Sequence, residues 1–292
     1  MPAMSVILPA KNEARSLENL LPTLIQQFAG QAVEIIVVND GSTDHTLAVC
    51  QEYAVTVVTH PYPMGNGAAI KTGARHAQGE VLVFMDADSQ HQVADVVRLL
   101  ARMQQGFDMV VGARNAASQA SFGRLCANTV YNRLSSWMVG HPILDLTSGL
   151  RVANAKKFKS FLYLLPNGFS YPTTITMAFF RAGYAVGYEP ITTAPRIGKS
   201  HIRPLRDAVR FFLIIFRIGT LFSPFKLFVP ISAACFALGL ARYGYTYMSE
   251  GRFTNMSSVL FLASLLVFLM GLISEQITHL LYSQQAAKPE DS

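Results

Sequence analysis

Short apolar runs recur at strand length through the first half of the chain: Ser5–Leu8, Glu34–Val38, Thr56–Val58, Val81–Met85 and Met109–Val111. Between them lie stretches whose apolar positions repeat about every 3.6 residues. Leu17, Leu20, Leu21, Leu24, Ile25 and Phe28 form one such face, and Val93, Val96, Val97, Leu100 and Met103 another. Strands alternating with helices predict an α/β fold with a mostly parallel sheet covered on both faces. In such sheets ligands bind beyond the carboxyl ends of the strands.

After Phe211 the pattern changes. Residues 227–249 carry one charge, Arg242, and residues 253–274 carry none. A bilayer-spanning helix needs about 20 mostly apolar residues, and both segments reach that length. The polar link Glu250–Arg252 joins them, so they read as a two-helix membrane hairpin. The alternative is a pair of buried helices in a large soluble core. Of the 292 residues, 51% are apolar and 14% charged, against about 25% charged in an average soluble domain. That deficit sits largely in the two apolar segments.

Met4–Leu8 already reads as a strand, with no signal peptide before it, so the globular part is expected in the cytosol. Arg196, Lys199, Arg203, Arg206, Arg210, Arg217 and Lys226 precede the first apolar segment, with Asp207 the only acid among them. That bias predicts a multi-pass membrane protein whose globular domain faces the cytoplasm. It also places much of the net charge of +6 beside a membrane, which argues against nucleic acid as a partner. Asp207–Phe222 has arginines seven apart around an apolar centre. It reads as an interfacial helix, or as the start of a longer first span. The expected organisation is a domain over 1–202, an amphipathic juxtamembrane helix over 203–225, two transmembrane helices within 226–282 and a polar tail over 283–292. The hairpin is also a surface on which copies can pack, so a homo-oligomer is a possible partner state. Cys50, Cys126 and Cys235 are isolated and give neither a disulfide framework nor metal spacing.

Each predicted strand ends in polar or flexible residues: "PAKNEA" from Pro9, "NDGSTD" from Asn39, "GNGAAIKTG" from Gly65, "DADSQH" from Asp86 and "GARN" from Gly112. These converge on one rim of the predicted sheet. Asp86 and Asp88, two apart in an extended segment, would point to one side. Carboxylates held that close repel unless a proton or cation intervenes, and a hard divalent ion suits them. Gln90 adds a third oxygen if the extended form continues. The competing reading is a polar loop with Asp88 or Ser89 capping the next helix. In "NDGSTD", Asp40 is an acceptor candidate for a base N–H or ribose hydroxyls, and Ser42 or Thr43 a helix-cap candidate. Asn12 and Glu13 offer similar acceptors or simply start a helix. "GNGAAIKTG" lacks the glycines of a dinucleotide fingerprint or a Walker loop. It reads as a glycine-rich turn before a helix, with Lys71 in that helix counted among the nucleotide-binding candidates.

In order, "ILPAKNE", "VVNDGSTD", "GNGAAIKTG", "VFMDADSQH", "GARN" and "LDLTSGLRVANAKKF" resemble the inverting family 2 glycosyltransferases of GT-A fold. The likeness covers about Met4 to His201 and is nearest the polyprenyl- and dolichyl-phosphate sugar synthases. "DADSQH" resembles their D-x-D-x-Q site, and "TSGLR" their T/C-S-G-F-R segment with Leu150 in the phenylalanine place. "RIGKSH" resembles their R-x-G-x-S-K with His201 in the lysine place. The resemblance implies Mg²⁺ or Mn²⁺ on Asp86, Asp88 and Gln90, and nucleotide contacts from Pro9, Asn12, Glu13, Asp40, Lys71 and Asp86. It implies acceptor-phosphate candidates Arg114, Arg124, Arg151, Arg196, Lys199 and His201. Asp88, Asp145, Arg114 and Arg124 are the catalytic candidates, and Asp145 lies near where inverting relatives keep a base candidate.

What the resemblance implies is transfer of a hexose from GDP-mannose or a UDP-sugar to polyprenyl or dolichyl phosphate, with inversion, by a membrane-bound enzyme. A lipid monophosphate is largely dianionic at neutral pH, with a second pKa of about 6. It therefore needs positioning more than a general base. Asp145 is accordingly expected to position rather than abstract a proton. A polymerising synthase is disfavoured because Trp137 is the only tryptophan and no Q-x-x-R-W occurs. The remaining alternatives are a transferase for another membrane acceptor, a non-catalytic adaptor and a translocase component.

Overall fold

The computed structural model describes residues 2–114, 122–168, 170–193, 213, 216, 217 and 219–286; for 122–128 and 281–286 it describes the backbone alone. Two compact units, Met1–His201 and Ile202–Ser292, divide the chain.

The first unit is built on seven strands: β1 (Met4–Ala10), β2 (Val33–Asn39), β3 (Thr56–Thr59), β4 (Val81–Phe84), β5 (Met109–Arg114), β6 (Arg151–Asn154) and β7 (Val186–Ile191). Their order is β3-β2-β1-β4-β6-β5-β7. All neighbours pair in parallel except β6, which runs antiparallel to both β4 and β5. The mostly parallel sheet expected from the alternation is therefore present, with one reversed strand. The order turns back between β1 and β4, so their carboxyl ends flank the crevice where such sheets receive ligands. Because β6 is reversed, its first residue, Arg151, lies on that same rim, paired with Phe84 at the end of β4.

Helices cover both faces. On one, α1 (Ala14–Gln27), α2 (Thr46–Gln51) and α4 (Val93–Met103) bury Leu17, Leu21, Leu24, Val49, Val96 and Leu99 against Val6, Leu8, Val37, Val83 and Val152. The spacings of these apolar residues match the periods of helix and strand. On the other, α3 (Asn66–His76) lies so close that a side chain at Gly73 would strike Ile7 and Val38. There α6 (Ala155–Lys159) stacks Phe158 on Phe84 with ring centroids 4.3 Å apart. The unit also contains α5 (Phe122–Val139) and α7 (Tyr171–Arg181), joined by a hydrogen bond from the Tyr131 hydroxyl to Thr173 Oγ1 at 3.0 Å.

The second unit contains α8 (Pro224–Glu250) and α9 (Asn255–Ala286). Their mean hydropathies are 1.7 and 2.5 over the most apolar windows, and only 22% and 17% of those windows is buried. A pair of soluble core helices would show the reverse, since apolar side chains exposed to water carry a large free-energy cost. Small residues let the helices approach: Ser232 and Ser264 exchange hydroxyl-to-carbonyl hydrogen bonds at 2.9 Å, and Gly239 lies against Phe261. Such contacts are the usual adhesive between helices in lipid. Gly251 closes α8 in the left-handed conformation, φ 64°, its N–H donating to Tyr247 O. Most of the expected interfacial stretch 207–222 lies outside the described residues.

Candidate active site

Three loops meet at the end of β1 and β2, and they interlock. The Asn12 N–H donates to Ser42 Oγ, the Thr43 N–H to Asn12 Oδ1 at 2.8 Å, and the Glu13 N–H to Thr46 Oγ1. Asn12 holds the left-handed conformation, φ 57°, which asparagine tolerates better than most residues. Neither Ser42 nor Thr43 caps α2, whose N-cap position is His45; Asp44 Oδ1 accepts from Thr46 N and Oγ1 just before it. Ser42 and Thr43 are engaged with Asn12. Pro9 is half-buried at the end of β1.

Asp40 is engaged within the protein. It is buried, and its carboxylate accepts from His60 Nδ1 at 2.8 Å, Met64 N at 2.7 Å and Gly65 N at 2.9 Å. His60 Nε2 in turn meets Thr72 Oγ1 at 2.9 Å. This chain of hydrogen bonds fixes the turn before α3. Burial alone would raise the Asp40 pKa, but His60 and the two backbone donors hold it below the ordinary carboxylate value.

Lys71 is also redirected. Its ammonium donates to Leu165 O at 3.1 Å and to Asn167 Oδ1. The glycines before it serve the same contact: a side chain at Gly67 would overlap Pro166 O, one at Gly65 would reach Asn167 O, and Ala68 N donates to Asn167 O. The glycine-rich turn is thus the seat of the Pro166–Gly168 segment. Its Asn66, which the motif reading passed over, hydrogen-bonds Asp86.

Strand β4 ends at Phe84, residues 87 and 88 form a turn, and Ser89 takes φ 57°. The extended form does not continue, so the geometric argument that placed Gln90 beside both acids fails; its N–H donates to Asp88 Oδ1 at 3.2 Å. Nor does Asp88 or Ser89 cap α4, which begins at Val93 with Gln92 before it. Asp86 and Asp88 nevertheless stay half-buried around a buried Ala87. Burial pushes the Asp86 pKa up and the Asp88 charge adds to it, against the opposing pull of His91, Asn66 and Arg151. His91 lies with Nε2 4.0 Å from Asp86 Oδ2 and is buried. No cluster of three His, Cys, Asp or Glu side chains suited to a metal occurs among the described residues. Two carboxylates two residues apart at one strand end fit a hard divalent ion whose remaining ligands come from a substrate's phosphates.

Beside them, Asp145 is buried and receives Arg114 Nε at 2.7 Å and Arg114 Nη2 at 3.0 Å, a two-pronged ion pair. It also accepts from the backbone N–H groups of Arg114, Thr147 and Ser148. Burial raises its pKa, but the Arg114 contacts and these N–H groups overcome it and hold the group below the ordinary carboxylate value. A carboxylate with its lone pairs so occupied is a poor general base.

Arg151 is turned into the protein. It is fully buried, with Nη2 donating to Ser148 O at 2.6 Å and Nη1 to Pro172 O and Thr176 Oγ1. An incoming phosphate has no access to it. The Arg124 side chain, Arg196, Lys199 and His201 lie outside the described residues.

Glycosyl transferase family 2 matches residues 5–160, more than half of the chain. The chain belongs to this family. It is therefore a glycosyltransferase by descent, and the GtrB C-terminal hairpin matches residues 223–280. That match and the outward-facing apolar helices mark a membrane protein. The chain is 26% identical over 294 residues to glycosyltransferase AglJ of Haloferax volcanii, covering 95% of this chain and 94% of that one. It is 31% identical over 168 residues to the undecaprenyl-phosphate 4-deoxy-4-formamido-L-arabinose transferase of Edwardsiella ictaluri, covering 55% of this chain and about half, 51%, of that relative. Among solved structures it resembles glucosyl-3-phosphoglycerate synthase of Mycobacterium tuberculosis in complex with Mn²⁺, UDP and glucosyl-3-phosphoglycerate, TM-score 0.59 at 21% identity. That match covers 74% of this chain and 78% of the other, and it shows a shared fold.

Proposed function

We propose that this membrane glycosyltransferase moves a hexose from a nucleotide-diphosphate sugar, GDP-mannose or a UDP-sugar, to a polyprenyl phosphate with inversion. The observation that carries the reading is the pair Asp86 and Asp88, half-buried at the carboxyl end of β4, in a chain that ends in an apolar hairpin. Family membership and the undecaprenyl-phosphate named for one relative support it.

In this reading Asp86 and Asp88 hold Mg²⁺ or Mn²⁺ on the donor's diphosphate. The bound ion supplies electrostatic stabilisation of the departing nucleotide diphosphate. Pro9, Asn12 and Glu13 line the nucleotide side, with Asp40 shaping that wall from behind. Asp145 fixes Arg114 in a single orientation, so that its charge is already in place for the acceptor's phosphate. Preorganisation of this kind removes reorganisation from the barrier. Arg124, Arg196, Lys199 and His201 complete the basic surround, each binding phosphate or covering the site. The acceptor's dianion attacks the anomeric carbon without a proton to lose, so Asp145 acts by position. The domain over 1–202 works at the cytoplasmic face, with residues 203–225 along the membrane surface.

Calorimetry on the detergent-purified chain tests the reading. A UDP- or GDP-sugar binds in the presence of Mn²⁺ or Mg²⁺ and is released by chelation, and Asp86→Asn or Asp88→Asn abolishes the metal dependence. Metal-independent binding, or none to any donor of the panel, sinks it. Incubating membranes with the same panel and polyprenyl phosphate then identifies the sugar through the glycolipid formed.

A further inference from the structure

The turn from Asp145 to Leu150 connects the two charged centres of the site, and its contacts are lopsided. On its outer side Gly149 touches Asp86 so closely that a side-chain carbon there would overlap the Asp86 carboxylate. Here glycine is demanded by approach, not by backbone angle. On its inner side Arg151 reaches back to Ser148 O at 2.6 Å. The same guanidinium is pinned to α7 through Pro172 O and Thr176 Oγ1, and lies 5.7 Å from the Tyr171 ring centroid. Arg151 pairs with Phe84 in the sheet, only two residues before Asp86. It is fully buried, and among the described residues no carboxylate pairs with it directly. A charge left that way is costly, and its Nε has no hydrogen-bond partner. Packing alone would be served better by an apolar side chain. The arrangement makes sense if the forked donor is needed to hold the turn, and if its charge is needed near two acids.

We propose that Arg151 is a positioning residue: by clamping Ser148 O it presses Gly149 against Asp86 and sets the Asp86 carboxylate for the divalent ion. The inference rests on the proposed metal-dependent reading and adds to it a support behind the first ligand. Partners that orient a metal ligand typically change metal affinity by about 10- to 100-fold when removed.

The test uses the full-length protein in detergent with Mn²⁺ and either UDP or GDP as probe, reading free Mn²⁺ by its electron paramagnetic resonance signal. Arg151→Met and Gly149→Ala each weaken nucleotide-dependent Mn²⁺ uptake by at least about tenfold. Both leave metal-free nucleotide binding as in the wild type. Arg151→Lys, which keeps the charge and N–H donors but loses the fork, recovers part of the loss. Hydrogen exchange rises at residues 85–91 and 145–149 in the weakened variants and is unchanged in β1 and β2. Gly149→Ala leaves the Arg151 side chain itself in place, so it remains informative should Arg151→Met fail to fold. Wild-type Mn²⁺ affinity in a folded Gly149→Ala variant overturns the proposal alone. Absence of Mn²⁺ uptake by the wild type overturns it together with the reading beneath it.

Discussion

Asp145 shows how far one side chain's contacts constrain its chemistry. Its oxygens accept from Arg114 and from three backbone N–H groups, so protonating it means breaking several charge-assisted bonds. Its depressed pKa gives a signed expectation. The unfolded group titrates at about 3.9 and the folded one lower. The stability it contributes is therefore complete above about pH 4 and is lost as pH falls through the folded pKa. Asp145→Asn should lower stability at neutral pH by about 3 kcal/mol, the cost of stranding a largely buried partner charge. It should also flatten the acid limb of a urea-midpoint titration. In kinetics the same variant should lower kcat at every pH while leaving the shape of the pH–rate profile intact. Disappearance of a titration on the rising limb would instead make Asp145 a base. The charges at Asp40 and Arg151 illustrate the limit of reading residues singly. Their internal partners were not legible, because a motif names a residue type and not the carbonyls and N–H groups that a folded neighbour brings to it.

At the scale of elements, α3 and the segment around Asn167 form a unit joined by backbone rather than by apolar area. A methyl at Gly67 has no room beside Pro166 O. Gly67→Ala should therefore cost about 1–3 kcal/mol, the usual range for overpacking, visible as a lower unfolding midpoint with faster exchange at 165–168. Lys71→Met should act in the same direction. In the hairpin, Ser232→Ala removes one of two reciprocal bonds and should cost only about 0.6 kcal/mol. Ser232→Leu, which separates the helices, should promote their dissociation in a cross-linking assay far more. The five strands with uninterrupted apolar runs were legible in the sequence, as were α1 and α4, because each carries its own period. β6 and β7 were not. "RVAN" is too short to show a period, and "VGYEPI" is broken by Glu189 and Pro190. Their strand character comes from pairing with β4 and β5 across long stretches of chain. Gly149 and Asn66 were invisible for a related reason: what makes them matter is Asp86, 63 and 20 residues away in sequence.

One chain carries a sheet domain and an apolar hairpin, and in the proposed reading the acceptor's chemistry explains the need for both. A prenyl tail gains about 0.8 kcal/mol for each methylene kept out of water, so extracting the lipid into solution would cost more than a single phosphate site can return. The phosphate must instead be met at the membrane surface, by a domain held there. In that reading the hairpin supplies the hold: at mean hydropathies of 1.7 and 2.5, its two helices would anchor far more strongly than a surface patch. Dependence on the hairpin should then be selective. A chain ending at residue 202 should remain folded, leave the membrane fraction and keep metal-dependent donor binding within a few-fold of the full-length value. Its transfer to a long polyprenyl phosphate in vesicles should fall by orders of magnitude, while transfer to a short, water-soluble prenyl phosphate should fall far less. The split between the two acceptors is the informative measurement. An equal loss on both would mean that the hairpin completes the catalytic site itself, and the division of labour argued from the two compact units would have to be abandoned.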